Sequence, residues 1–321
     1  MIELELNRSL LLKHYKHIYP KIKDKIKKEI ALTSNTINIK YLIYIQNRLS
    51  KIIVGDTNYL EKTIKLTISK YSDIATDHSR KKVKPEIYDI IKRIFVTNGY
   101  ESYFSKENKT YYAYNFTKEL GLHSCPYCNR NYISTIERIN KNNKKTRPQI
   151  DHFFPKAIYP FLAISFYNLL PCCTTCNHMK SNDDSYIKKL KSPYEIQNED
   201  FKFSYLLNGM SILDLTLIDD ITCEDEQDIK IILDKKIISN NKCFELEKLY
   251  EESHQDIVIE LIVKKLNYPN SYINELKNFG FSKNEIYRYL LCNYSKINEF
   301  HKRPLSKLIS DIADELNLIE I

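Results

Sequence analysis

Two short stretches, Cys125-Pro-Tyr-Cys128 and Cys173-Thr-Thr-Cys176, carry four cysteines in two pairs of identical spacing, with 44 residues between the pairs. A Cys-x-x-Cys turn directs two sulfur atoms at one point, and two such turns supply the four ligands of a tetrahedral zinc ion. Because all four ligands come from the protein, no coordination position stays open for a substrate water. The spacing therefore predicts a structural zinc site built from these four cysteines.

One ligand of this site is open on sequence alone, because Cys172 directly precedes Cys173. Cys172 would give the second pair a three-residue spacing, whereas Cys173 matches the first pair, which favours Cys173. His123 is a weaker substitute, since four cysteines already complete the ligand set. A redox dithiol at the first pair is the main competing interpretation, and the presence of the second pair argues against it.

The composition is that of a folded, helix-rich chain. Of 321 residues, 43% are hydrophobic and 28% are charged, which argues against wholesale disorder. Only five glycines are present, and this scarcity disfavours folds whose phosphate-binding turns need residues without a Cβ atom. We expect an α+β protein with a mainly helical, basic N-terminal domain over residues 1–108, a central module over 109–192 and an α/β C-terminal domain over 193–321.

The net charge of +8 is unevenly distributed along the chain. Residues 1–150 contain 29 Lys and Arg against 14 Asp and Glu, whereas residues 151–321 contain 20 against 27. A basic half attracts polyanions, of which nucleic acid is the most common large example. The competing interpretation is that lysine-rich runs such as Lys21 to Lys28 only form solvated helix surfaces.

Hydrophobic periodicity predicts the elements of the first half. Apolar residues recur every three or four positions between Leu6 and Tyr103, which predicts several helices, one of them beginning near Pro85. The β-rich run Asn131 to Ile139 and the later run Arg147 to Phe153 predict a hairpin around the polar turn between them.

The C-terminal part mixes strand and helix signals. Asn208-Gly209 predicts a hairpin between strands at 201–207 and 211–217, and a further strand is expected at 229–233. Periodic apolar residues predict helices at 246–266, 285–294 and 305–316.

The sequence shows no secretory signal and no membrane span. The first residues, Met1 to Lys13, mix two glutamates with leucines and lack an apolar stretch followed by a small-residue cleavage site. The most apolar stretch, Ala157 to Pro171, is too short and interrupted for a span of about 20 residues. We therefore expect a cytoplasmic protein with no membrane partner, in which thiols stay reduced and cysteines act as metal ligands.

The segment between the cysteine pairs carries a second pattern. It reads Gln149-Ile-Asp-His-Phe-Phe-Pro-Lys156 and then Tyr167-Asn-Leu-Leu-Pro-Cys-Cys-Thr-Thr-Cys-Asn-His-Met-Lys180. Preceded by the first Cys-x-x-Cys, this order of motifs resembles the HNH endonucleases, also called His-Me finger or ββα-metal nucleases, in the form whose core carries a four-cysteine zinc site. The resemblance covers Leu122 to Asp184 and implies a zinc-braced ββα-metal module at the centre of the chain.

The resemblance implies a role for each matching residue. Asp151 and Asn177 would bind a catalytic divalent cation, and their oxygen ligands suit Mg²⁺ or Mn²⁺. His152 would be the general base, because an imidazole with its ordinary pKa of about 6.5 can take a proton from water at cellular pH. Asn168 would hold the loop that orients His152, and the zinc would fix the hairpin to the helix that follows.

Two lysines are candidates for contacts with substrate phosphate. Lys180 lies one helical turn beyond Asn177, and Lys156 follows the Asp-His pair. A solvated side chain is the competing interpretation of Lys156, and helix capping is that of Asn177. His178 would replace Asn177 as a metal ligand if the helix began one residue later.

These patterns predict a metal-dependent HNH endonuclease that hydrolyses phosphodiester bonds, with DNA favoured over RNA as the nucleic-acid partner. The chain resembles the HNH nuclease subunits of bacterial anti-phage defence systems of the Septu or retron-associated type, which implies an ATPase partner subunit. One alternative is an RNA nuclease that acts on tRNA. The other is a zinc-knuckle protein that binds nucleic acid without cutting it.

Overall fold

The computed structural model describes residues 1–78, 80–107, 111–137, 144–207 and 229–319. The chain divides into two compact units. The cleft unit contains Glu5–Leu122 and Ile133–Tyr194, and the C-terminal unit contains Met1–Leu4, His123–Tyr132 and Glu195–Ile321. The residues on both sides of position 108, where the sequence suggested a domain boundary, belong to the cleft unit.

The N-terminal helices and the central segment form one unit because they share a hydrophobic core. His14 Nε2 lies 2.8 Å from the carbonyl oxygen of Ile164, and the Tyr88 hydroxyl donates to the carbonyl of Ala157 at 3.0 Å. A Cβ atom added at Gly99 would lie only 3.0 Å from the Ile164 side chain. Periodicity predicts which face of a helix is buried, but it does not predict which segment covers that face.

The helices of the N-terminal part are α1 (Arg8–Leu32), α2 (Thr36–Val54), α3 (Thr57–Lys70), α4 (Glu86–Ile91) and α5 (Ala113–Leu120). A π-helix over Lys92–Ser105 continues α4 directly. Side-chain oxygens of Asn7, Asn35 and Asp56 accept hydrogen bonds from first-turn N–H groups of α1, α2 and α3. These caps satisfy donors that no carbonyl within the helix can reach.

A strand pair and a short helix follow in the cleft unit. β1 (Gln149–His152) pairs antiparallel with β2 (Leu169–Cys172), so that His152 lies opposite Leu169. The helix α6 (Thr174–Lys180) begins just after β2 and packs against β1. Together they form a ββα arrangement, which brings side chains of β1 and α6 to one cleft.

The strand that pairs with β1 is not the one that the sequence indicated. The β-rich run at residues 131–139 predicted a hairpin with residues 147–153, and the structure pairs β1 with β2. In the described part of the predicted hairpin, Ile136 and Thr146 form an isolated bridge, and residues 138–143 lie outside the described residues. Burial explains the difference, because Tyr132 and Ile136 are 65% and 55% exposed whereas every residue of β2 is buried.

The C-terminal unit combines a second strand pair with helices. β3 (Phe203–Leu207) pairs antiparallel with β4 (Ile229–Leu233). The helices are α7 (Ile238–Phe244), α8 (Leu246–Glu251), α9 (Gln255–Asn267), α10 (Asn270–Asn278), α11 (Lys283–Leu291) and α12 (Ser306–Glu315). The helix predicted at 246–266 is divided into α8 and α9. The predicted Asn208-Gly209 turn and the strand at 211–217 lie outside the described residues.

Within the described ranges, the structure is rich in helix with two small antiparallel sheets, which agrees with the predicted α+β class. No helix in these ranges has the length and apolar character that crossing a bilayer requires.

Candidate zinc site and catalytic cleft

The four predicted zinc ligands lie together. The sulfur atoms of Cys125, Cys128, Cys173 and Cys176 are all within 4.8 Å of one another, and all four residues are buried. Four sulfurs at about 2.3 Å from a tetrahedral zinc ion would stand about 3.8 Å apart, so the cluster fits this ion. Backbone nitrogens of Cys176 and Arg130 lie 3.4 Å from the sulfurs of Cys173 and Cys128 and donate hydrogen bonds to them.

Cys172 lies outside the cluster although it precedes Cys173 in the sequence. It is the last residue of β2 and is fully buried. Burial, followed by the nearby Asp151 carboxylate, raises the pKa of the Cys172 thiol, and a neutral thiol is a poor metal ligand. The structure therefore favours Cys173 as the ligand. His123 is exposed and is not part of the cluster.

Asn129 braces the first cysteine pair, and the motif search did not identify it. It follows Cys128 in a left-handed backbone conformation with φ 50°, which asparagine adopts more readily than most residues. Its amide nitrogen donates to Ser124 Oγ at 2.8 Å and to the Phe300 carbonyl at 3.1 Å, and its amide oxygen accepts from the Lys307 N–H at 3.0 Å. An asparagine directly after a Cys-x-x-Cys turn was the available signal.

An open cleft of about 440 Å³ lies in the cleft unit. β1 contributes Asp151 and His152 to its lining, α6 contributes Asn177 and His178, and Lys156 follows β1. Five residues that the sequence nominated for chemistry or substrate contact therefore meet at one surface. Two other predicted residues, Asn168 and Lys180, are fully buried and do not line the cleft.

His152 ends β1 with its imidazole held in one tautomer. Its Nε2 lies 3.0 Å from the carbonyl oxygen of Ala163, and because a carbonyl only accepts, Nε2 carries the proton of the neutral ring. The lone pair is then on Nδ1, which receives no hydrogen bond from the described residues. The Tyr100 ring packs edge-to-face on the imidazole, with 4.4 Å between centroids.

The electrostatic surroundings keep His152 neutral. Burial, followed by the positive charges of Lys156 and Lys180, lowers the pKa of His152 to about 3, and the hydrogen bond to Ala163 opposes this shift. The ring is thus uncharged at cellular pH and can accept a proton at Nδ1. A bound phosphate would raise this pKa, because negative charge favours the protonated ring.

Asn168 ties down the loop after β1. Its amide oxygen accepts from the Phe154 N–H at 2.6 Å, and its amide nitrogen donates to the carbonyls of Phe154 at 3.1 Å and Leu162 at 2.9 Å. Its own carbonyl accepts from the Phe153 N–H at 3.0 Å. These bonds connect the residues that follow His152 to those that precede Ala163, the hydrogen-bond partner of the imidazole.

Lys180 does not lie where a phosphate contact would require it. Its side chain is fully buried, and Nζ lies 3.3 and 3.2 Å from the two carboxylate oxygens of Asp151 and 3.0 Å from the carbonyl of His152. Helical spacing from Asn177 does not specify which face of α6 packs against β1, and the structure places Lys180 against Asp151 on the buried side of the helix. Lys156 does reach the cleft, with Nζ 4.6 Å from the centroid of the Tyr100 ring.

Asn177 and His178 occupy the α6 side of the cleft. Asn177 is half-buried and donates from its amide nitrogen to Gln149 Oε1 at 2.6 Å. This bond orients the amide and leaves its oxygen without a hydrogen bond from the described residues. His178 is exposed. The carboxylate of Asp151 and the amide oxygen of Asn177 can therefore serve a hard cation such as Mg²⁺, and His178 is the alternative ligand.

Comparison with known proteins supplies one similarity. No family model and no solved structure matches the chain. The chain is similar to the Septu protein PtuB of Bacillus thuringiensis, with 27% identity over 135 residues, which cover 41% of this chain and 48% of that protein. The chain thus matches about half the length of this curated relative. The partial similarity supports an association with Septu-type defence.

Proposed function

We propose that the protein is a metal-dependent HNH endonuclease that hydrolyses phosphodiester bonds. The observation that carries the proposal is the cleft, which His152 lines together with the oxygen-bearing residues Asp151 and Asn177. Nδ1 of the neutral His152 ring has no hydrogen-bond partner among the described residues. A base, two hard-ligand oxygens and an open volume are the components that metal-assisted phosphodiester hydrolysis requires.

Asp151 and Asn177 would hold the catalytic Mg²⁺ or Mn²⁺. The ion, when bound, would stabilise the negative charge that develops on the phosphate oxygens and the leaving oxygen. His152 takes a proton from the attacking water at Nδ1, while Nε2 stays bonded to Ala163. This fixed tautomer means that the base needs no reorientation before the reaction.

Lys180 acts in this proposal as a positioning residue. Its ammonium group contacts both oxygens of Asp151 from the buried side and also holds the backbone of His152. These contacts fix the orientation of the Asp151 side chain at the edge of the cleft. Lys156 is left as the lysine that contacts substrate phosphate in the cleft.

We further propose that the protein works in anti-phage defence. The similarity to a Septu protein supports this assignment, and the resemblance to defence nucleases extends the proposal to an ATPase partner subunit. DNA is the proposed substrate. The zinc site would contribute stability, since four cysteine ligands leave no open position for chemistry.

Cleavage assays test this function. Purified protein with Mn²⁺ or Mg²⁺ is incubated with plasmid DNA, single-stranded DNA and total RNA, with and without the products of the neighbouring genes. We expect cleavage of DNA, and we expect His152→Ala to lose at least roughly 1,000-fold in rate, because the general base and its orientation are both removed.

The matched control is His123→Ala, which removes an exposed histidine that does not line the cleft. Unchanged zinc content and thermal midpoint establish that His152→Ala is folded. Equal activity of wild type and His152→Ala on every substrate would reject the enzyme and leave the zinc-knuckle binding protein. Cleavage of RNA but not of DNA would favour the alternative, in which the protein is a nuclease that acts on tRNA.

A further inference from the structure

Three cations lie near Tyr100 beside the cleft. Lys156 places Nζ 4.6 Å from the centroid of the Tyr100 ring. Lys92 follows Tyr88 by four residues, and the Tyr88 hydroxyl donates to the carbonyl of Ala157, the residue after Lys156. The charge of Lys92 adds to the burial that lowers the pKa of Lys156, and Glu101 opposes this shift. The guanidinium of Arg147 lies 5.6 Å from the centroid of the Tyr114 ring, and its charge opposes the burial that raises the pKa of Tyr100 to about 12.

Among the described residues, no carboxylate forms an ion pair with any of these three cations, although the charge of Glu101 acts on Lys156. Within the described ranges, neither Lys92 nor Lys156 forms an ion pair, and Arg147 donates only to the carbonyl of Pro148, at 2.8 Å. Their neighbours in sequence differ, because Arg93 pairs with Glu29 at 2.7 Å and Lys145 pairs with Glu107. Because these neighbouring cations do find acidic partners, a general shortage of acidic residues does not explain why Lys92, Arg147 and Lys156 form no ion pair.

Unpaired like charges repel one another and reduce the stability of the folded chain. Such a cluster has a physical role when a polyanion completes it, because each bound phosphate replaces repulsion with attraction. The position fits this role. The Tyr100 ring packs against His152 and lies under the ammonium of Lys156, and both of these residues line the cleft.

We propose that Lys92, Arg147 and Lys156 form a phosphate-binding ridge that holds the phosphodiester backbone of a nucleic-acid strand next to the scissile phosphate. The inference rests on the proposed nuclease function and extends it, because Lys92 and Tyr100 belong to the π-helix and not to the HNH-like motif. The N-terminal helical segment thereby takes part in substrate binding. Phosphate contacts carry no base information, so the ridge binds DNA and RNA strands by the same chemistry.

Binding at several salt concentrations tests the ridge. The His152→Ala protein, in which binding is measured without cleavage, is titrated onto labelled single-stranded DNA and RNA of one sequence, and fluorescence anisotropy gives the affinity. Lys92→Gln, Arg147→Gln and Lys156→Gln are added singly and together, because glutamine keeps the side-chain stem and removes the charge. Lys65→Gln on the exposed face of α3 is the matched control.

We expect each single change to weaken binding by about 3- to 10-fold and to lower the slope of log affinity against log salt by about 0.7. The triple variant should lose a slope of about 2. Lys65→Gln should leave both quantities within twofold of the parent. Lys92→Arg and Lys156→Arg keep the charge and should retain binding, which a purely structural role would not explain.

An unchanged salt slope in the triple variant would overturn the ridge, even if the wild type cleaves DNA. The reverse result, a lost slope in variants of a protein that never cleaves, would support the ridge and reject the nuclease function. Reduced binding at an unchanged slope would also count against the ridge, since it indicates a change of structure without loss of phosphate contacts.

Discussion

His14 in the helical core and His152 at the cleft are both buried and both hydrogen-bonded through Nε2, but their surroundings differ. Their Nε2 atoms bind the consecutive carbonyls of Ile164 and Ala163, at 2.8 and 3.0 Å. Burial is the main cause that lowers their pKa values to about 4 and about 3. The difference is at Nδ1, which lies 3.2 Å from the Tyr111 hydroxyl in His14 and has no partner among the described residues in His152.

The comparison separates two effects of burial. Exclusion of water makes both imidazoles neutral, and that alone does not produce a base. Of the two, only His152 lines the cleft, and its Nδ1 lone pair has no hydrogen-bond partner among the described residues. The hydrogen bonding of one nitrogen atom therefore distinguishes the catalytic candidate from a histidine that packs the core.

The same contrast recurs in two further residue types. Cys173 belongs to the thiol cluster, whereas its neighbour Cys172 is an isolated buried thiol. Asn168 is completely hydrogen-bonded inside the protein, whereas Asn177 lines the cleft. Each pair offers a matched experiment in which one chemical group is removed from two surroundings.

The cysteine pair carries the largest expected effect. We expect Cys173→Ser to lose its zinc and its cooperative folded state, because binding of a structural zinc contributes about 10–16 kcal/mol to folding. Cys172→Ser should keep about one zinc per chain and lose about 1–3 kcal/mol through the burial of a hydroxyl. Elemental analysis and thermal unfolding by circular dichroism measure both quantities. Zinc loss from Cys172→Ser alone would reverse the ligand assignment, and a folded, zinc-free wild type would disprove the site.

The asparagine pair separates stability from activity. Asn168→Ala removes three buried side-chain hydrogen bonds, so we expect the free energy of unfolding to fall by about 3–5 kcal/mol. Asn177→Ala should change it by only about 0.5 kcal/mol, because the residue is half-buried and makes one side-chain bond, yet cleavage should fall roughly 100-fold or more. Urea unfolding and cleavage rates provide the two readings. Full activity in Asn177→Ala would transfer the ligand role to His178.

A smaller, pH-dependent effect is expected at His14. The folded protein keeps the ring neutral down to pH about 4, while the unfolded chain takes up a proton below pH about 6.5. The contribution of His14 is complete above pH about 6.5 and is lost as the pH falls, by about 1.4 kcal/mol per pH unit and about 3 kcal/mol in total. His17, whose charge also lowers this pKa, and the Tyr111 hydroxyl face the ring.

Urea unfolding of wild type and His14→Gln between pH about 6.5 and 4 measures this contribution. We expect the wild type to lose up to about 3 kcal/mol more than the variant over this interval. Release of zinc by acid affects both proteins and cancels in the comparison. The same loss of stability in both proteins would show that the core histidine is not kept neutral by the fold.

Short-range patterns identified the reactive residue types and much of the helical structure. Ligand spacing within a Cys-x-x-Cys turn is a local property, and the sequence therefore indicated all four cysteines that cluster. Capping and periodicity are local as well, and α4 begins at Glu86, directly after the predicted Pro85. The Asp-His pair and Asn177 were nominated by motif order, and the roles assigned to them remain predictions.

Contacts between distant segments were decided by the tertiary structure. Three features depend on which surfaces bury one another. They are the pairing of β1 with β2, the position of Lys180 beneath Asp151, and the contact of Tyr100 in the π-helix with His152. A residue's spacing within its own helix or strand contains no information about the segment that covers it, because burial is a property of the folded chain. The residue types of the candidate site were therefore readable from the order of the sequence. The packed molecule was needed to show that Nδ1 of His14 has a partner in Tyr111, whereas Nδ1 of His152 has none among the described residues.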